Sequence, residues 1–141
     1  MTDHDALAAI LEANPTLSWR GWWNSRDERT YPPEALAEFR RETLASDGRS
    51  GLGQFQRAMA FIAVAPRIKS VNRRHSCYGW KHRAQAMFRG AAEGRYADYY
   101  VGEGAFIAAA IASGLTIYRG DYATFTNLRE KAWSLPDRIV S

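Results

Sequence analysis

The residues of this 141-residue chain best equipped for chemistry lie between positions 67 and 95. Arg67, Lys69, Arg73, Arg74, Lys81, Arg83, Arg89 and Arg95 stand there against a single acid, Glu93. The formal net charge of the whole chain is only +4, so the remainder is slightly acidic. A positive field confined to one segment suits an anionic partner. Arg67, Lys69, Arg73, Arg74, Lys81 and Arg89 can neutralise phosphates, while Tyr78, His82 and Gln85 can hydrogen-bond along a backbone. These nine residues form the candidate nucleic-acid-binding set. Two other arrangements fit the same residues. One is a solvated face paired internally with Glu34, Glu38 and Glu42, spaced four apart; the other is a surface for an acidic protein partner.

Catalysis finds less support. His75 or His82 could act as an acid or base while Lys81 or Arg83 holds a phosphate. No nucleophile, base and acid can be assembled from adjacent motifs, so no catalytic residue is expected. The two histidines are seven apart, not the four of a helix zinc site, and neither metal nor cofactor is expected. Cys77, the sole cysteine, falls on an apolar helix face and reads as a buried thiol. The loop Gly48-x-x-Gly51-x-Gly53 precedes a helix but lacks the strand before it and the Lys-Ser/Thr ending of a phosphate cradle. It reads as a flexible connection. Trp19, Trp22 and Trp23 are the candidate partner-binding residues, through stacking or by filling a partner's pocket; the competing expectation is that two of them pack under the first helix.

The elements that must position these groups follow from periodicity. Ala6, Leu7, Ile10 and Leu11 mark a helix over Asp3 to Ala13, ended by Asn14-Pro15. Pro32-Pro33-Glu34 opens a second helix reaching about Ala45, with Leu36, Phe39 or Arg40, Thr43 and Leu44 inward. A third covers about Leu52 to Val64. A fourth, about Ser76 to Arg89, turns Cys77, Trp80, Ala84, Met87 and Phe88 to one side and Arg74, Tyr78, Lys81, His82, Gln85 and Arg89 to the other. Residues 67 to 73 read as a loop extending that basic patch.

The fifth helix, about Glu103 to Ser113, is apolar nearly all round and must be buried. Glu103 in its first turn suits the helix dipole and reads as a structural acid paired with Lys81 or Arg83. Leu115 to Tyr118 and Tyr122 to Thr126 alternate around Arg119-Gly120-Asp121 as a hairpin. The order helix, helix, hairpin suits a winged helix, but the helix before the wing carries no base-reading residue, so the fourth helix would have to bind.

Two stretches together carry a resemblance. Ser76-Cys77-Tyr78-Gly79-Trp80-Lys81-His82, then Tyr100-Val101-Gly102-Glu103-Gly104-Ala105-Phe106-Ile107-Ala108-Ala109-Ala110, resembles a family of small uncharacterised proteins of bacterial mobile elements. The family patterns are S-x-Y-x-x-K-H and Y-V/I-x-x-G-x-F-I-A-A-A, followed by a short β segment. The resemblance covers residues 73 to 127. Trp80 stands where a leucine is expected, and Gly102-Glu103 where a Ser or Asn cap is expected. The resemblance implies a prophage or plasmid setting, where small accessory and anti-defence proteins are common, and implies no activity.

The expected architecture is α+β, mainly α, with about five helices and a small C-terminal β-hairpin in a single compact domain. Within it lie an N-terminal helical part (1–66), a motif-bearing part (67–127) and a tail (128–141). The chain shows no signal peptide or membrane-length apolar run and reads as cytoplasmic. The expected function is a non-enzymatic accessory protein that binds nucleic acid or a nucleoprotein complex through its basic face. The alternatives are a protein–protein inhibitor or adaptor using the tryptophan segment, and an enzyme for phosphorylated substrates with a histidine base.

Overall fold

The computed structural model describes residues 1–46 and 51–135. It is a helix-rich α+β fold with two small antiparallel sheets. The elements are α1 (Asp3–Ala13), β1 (Leu17–Ser18), β2 (Gly21–Trp22), α2 (Ser25–Thr30), α3 (Ala35–Leu44), α4 (Gly51–Val64), β3 (Arg67–Ser76), α5 (Cys77–Arg89), α6 (Tyr96–Tyr99), α7 (Glu103–Ala112), β4 (Ile117–Arg119) and β5 (Thr124–Leu128). A 3-10 turn, Glu130–Ser134, follows. Gly48 of the glycine-rich connection and residues 136–141 of the tail lie outside the described residues.

The five expected helices form close to their predicted bounds. α1 starts from a capping box in which the Thr2 hydroxyl accepts from the Asp5 amide and the Asp5 carboxylate accepts from the Thr2 amide. α5 starts from Ser76, whose hydroxyl accepts from the Gly79 amide. α7 is the centre of the molecule. Gly104 to Ala110 are all buried, and α1, α4 and α5 pack around them. Phe61, Trp80 and Phe106 fill the space between these helices.

Two parts differ from expectation. The charged stretch 24–30, which has no apolar periodicity and by sequence reads as a loop, forms α2, started by an Asn24–Asp27 capping box. Residues 67–76 were expected as a loop running into a helix that would carry Arg74. They form β3 instead, so Arg67, Lys69, Arg73 and Arg74 sit on a strand. β3 pairs with β5 through Arg67↔Leu128, Asn72↔Thr126 and Ser76↔Phe125. Five residues of β3 thus span two of β5, and such bulges erase the two-residue alternation by which a strand is recognised.

β5 lies between β3 and β4 and turns Thr124, Thr126 and Leu128 inward. β4 and β5 form the expected hairpin around the turn at Gly120. β3 is an edge strand, and its lysine and arginines also discourage edge-to-edge pairing.

The N-terminus of α7 is slotted against the β1–β2 hairpin. The Gly104 amide donates to the Trp19 carbonyl at 2.9 Å, and a Cβ on Gly104 would lie 1.5 Å from the Ser18 carbonyl oxygen. We expect Gly104→Ala to lose about 3 kcal/mol or more in chemical denaturation, because backbone on both sides must move apart. Gly90 has φ −63° and ψ −45° with open space where a Cβ would stand. Gly90→Ala should therefore gain about 0.4–1 kcal/mol in the same assay.

Candidate functional site

The nine residues of the expected basic face divide in the structure. Tyr78, His82 and Arg89 are exposed on one side of α5, and Arg67, Lys69, Arg73 and Arg74 are exposed on β3. Among the described residues, none of the seven forms an ion pair. Glu38 is bonded to Arg41 on its own helix, and the Glu42 carboxylate accepts from the Trp19 indole N–H at 2.9 Å. The acids of α3 therefore do not cover these cations.

Lys81 and Gln85 belong elsewhere. Lys81 is only 5% exposed and Gln85 4%, so neither can lie along a polyanion. On a helical wheel both fall within about 140° of Trp80, at the margin of the apolar face. The chain that leads into α7 covers that margin. Gln85 Oε1 accepts from Lys81 Nζ at 3.0 Å and from the Val101 amide at 3.2 Å. Lys81 Nζ stands 4.5 Å from the centroid of the Tyr100 ring. Burial holds the Lys81 amine below the ordinary lysine range, and the nearby Glu103 carboxylate opposes that shift.

Beside Tyr78 and His82 the fold brings tyrosines that lie outside the nine-residue candidate set. α6 packs on α5 and carries Tyr96, 59% exposed, next to Tyr78, 56% exposed. The contacts form two neighbouring sets. Tyr78 meets His82 edge-on at 4.8 Å, Tyr96 meets Tyr99 at 5.4 Å, and the Arg89 guanidinium lies 5.3 Å from the Tyr99 ring. Arg95 is spent on Asp98 at 2.6 Å and Glu93 at 3.7 Å. His82 registers the local field: burial, then the charges of Lys81 and Arg89, hold its imidazole below the usual histidine range. The usable signal in the sequence was the spacing Tyr96, Tyr99, Tyr100 directly after a helix with a tyrosine on its polar face.

His75 takes no part in this array. Its Nε2 bonds Glu130 at 2.6 Å, and its ring stacks on Trp133 at 4.0 Å.

The three tryptophans are half-buried. Trp19 bonds Glu42, and the Trp22 indole N–H donates to the Thr124 hydroxyl at 3.0 Å. Trp23 packs with Tyr31 and Phe39. They do not stand out as anchors for a partner.

Trp22 and Trp23 instead line a cavity of about 280 Å³ between the β1–β2 hairpin, the start of α2 and the β4–β5 turn. Arg20 and Arg119 line it too, the first 4.6 Å from the Phe39 centroid and the second 4.4 Å from that of Trp22. Glu103 also faces this cavity. Burial pushes its carboxyl above the ordinary range, with Lys81 opposing, and it accepts no hydrogen bond among the described residues. The expected pairing of Glu103 with Lys81 is thus an electrostatic neighbourhood, not a bonded ion pair.

No protein-family model, curated protein or solved structure matches this chain. Among the described residues, no group of His, Cys, Asp or Glu side chains could hold a metal ion, and no helix is long and apolar enough to cross a membrane.

Two outcomes follow from the buried part of this region. Cys77 is fully buried, and burial with Glu103 nearby pushes its thiol far up. An aromatic disulfide reagent at mildly alkaline pH should leave Cys77 unlabelled in the native protein and react fully in denaturant. Gln85→Ala should lose about 2 kcal/mol in thermal or chemical denaturation, because it strands the Lys81 amine and the Val101 amide together.

Proposed function

We propose that this protein binds single-stranded nucleic acid, without turning it over, through the exposed aromatic and basic face of α5 and α6. The supporting observation is that Tyr78 and His82 on α5 and Tyr96, Tyr99 and Arg89 beside them form two neighbouring sets of contacts on one side of the molecule, with the charges of Lys81 and Arg89 felt at His82. Tyrosine rings accept unpaired bases by stacking, regardless of sequence, while arginines follow the phosphates. β3 enters α5 directly through Ser76, so Arg73 and Arg74 can extend the backbone track. Lys81 and Gln85 leave the contact set and act by fixing the α5 frame; Tyr96 and Tyr99 join it.

Bases in a duplex could not reach these rings. Nor does α7, the helix before the β4–β5 hairpin, offer a recognition surface for the major groove, since it is core. The setting implied by the sequence resemblance, a prophage or plasmid, suits an accessory role of this kind. The tryptophan-anchored adaptor gains no exposed anchor from the fold.

Fluorescence anisotropy with a mixed-sequence single strand and its duplex, at two salt concentrations, tests the reading. The single strand should bind more tightly, with affinity falling steeply as salt rises. Tyr78→Ala and Tyr96→Ala should each weaken it by about 1–3 kcal/mol. Arg89→Gln should reduce the salt slope by roughly 0.7. The proposal fails if the folded protein ignores the single strand, or if Tyr78→Ala and Tyr96→Ala bind as wild type does.

A second readout is the His82 imidazole, whose pKa, followed by NMR, should rise when phosphates offset Lys81 and Arg89. Between the free and bound values the complex takes up a proton, so binding should tighten as pH falls through that window.

A further inference from the structure

The cavity beside Glu103 shares none of its lining residues with the α5–α6 array. Two features of it call for a ligand. One is the half-buried Glu103 carboxylate, which lines the cavity and has no protein donor among the described residues, so that it can accept from a donor-bearing ligand. The other is the pair Arg20 and Arg119, which line the same cavity. Each guanidinium is laid near an aromatic ring, and neither is paired with a carboxylate among the described residues. A guanidinium held in this way keeps its fork of donors for an oxyanion.

The remaining acids compete little for the arginines. Asp27 is committed to the α2 capping box, where it accepts from the Asn24 amide at 2.9 Å, and Asp121 is exposed in the turn. A ligand that engages both kinds of group carries hydrogen-bond donors and an anion. Trp22 and Trp23 also line the cavity and provide flat faces on which a flat base can stack.

We propose that this cavity binds a guanine mononucleotide, with Glu103 accepting from the guanine N1–H and N2–H groups and Arg20 and Arg119 holding the phosphate. Guanine presents those two donors side by side, matching the two oxygens of a carboxylate. Adenine sets one donor beside an acceptor nitrogen, which would face a carboxylate oxygen unpaired, and a site built on hydrogen bonds rejects such a ligand strongly.

Isothermal titration calorimetry on the full chain tests this with guanosine 5′-monophosphate, adenosine 5′-monophosphate, guanosine and inorganic phosphate. The guanine nucleotide should bind once per chain, and the adenine nucleotide about ten-fold or more weaker. Glu103→Gln should erase most of that preference. Arg119→Gln, an exposed change that leaves the core untouched, should weaken the guanine nucleotide about ten-fold but leave guanosine unchanged. The proposal is overturned if folded wild-type protein does not bind the guanine nucleotide, if the two nucleotides bind equally, or if inorganic phosphate binds as well as the nucleotide. It is overturned equally if Tyr78→Ala abolishes nucleotide binding, which would put the ligand on the α5–α6 face. Arg119→Gln should leave single-strand binding unchanged, so either proposal can fail alone.

Discussion

The tight seat of α7 against the β1–β2 hairpin is the constraint on which the rest of the molecule depends. Three amides at the entrance to this helix are caught from three directions: Val101 by Gln85, Gly102 by Gln54, and Gly104 by the Trp19 carbonyl. Each partner lies on a different element. A helix buried on nearly every side leaves its terminal N–H groups no access to water, so they must find protein acceptors. The backbones meet so closely at Gly104 that no side chain fits. The glycine there is thus a requirement of distance, since φ at this position is ordinary.

That seat determines the chemistry of the surface. Gln85 turns inward to serve Val101, and Lys81 follows because Gln85, the Tyr100 ring and the Glu103 carboxylate all lie beneath it. A lysine that the helix places at the margin becomes an internal charge. Its field still reaches the surface, where His82 feels it. Two cations on one helix thus do different work: Lys81 supplies potential from within, and Arg89 offers a contact from outside. At the other end of the same seat, Glu103 is drawn under the hairpin and beside a cavity whose other walls come from α2, α3 and the β4–β5 turn.

Much of the helical frame was legible because its signals are local. Thr2 and Ser76 announce helix starts, Pro15 and Pro66 follow helix ends, and the apolar run after Glu103 could only be core. The hairpin was legible too, through alternation about Gly120. β3 was not, because its bulges place Ile68 and Val71 three apart, and its charges resemble those of a loop. α2 was obscured for a related reason: it buries no residue and is held by its cap, so it carries no apolar periodicity.

By itself, the sequence determined that a mainly helical α+β fold would form around α7 and that Cys77 and Trp80 would be inside. These follow from residue type and from periods of two or 3.6, which act over a few neighbours. Tertiary structure alone decided which cations remain exposed, which tyrosines join them, and that Glu103, Arg20 and Arg119 share a cavity. Such matters depend on what covers each side chain. For Lys81 the cover is the chain about twenty residues further on, and for Glu103 it comes from hairpins before and after it; no local pattern carries that information.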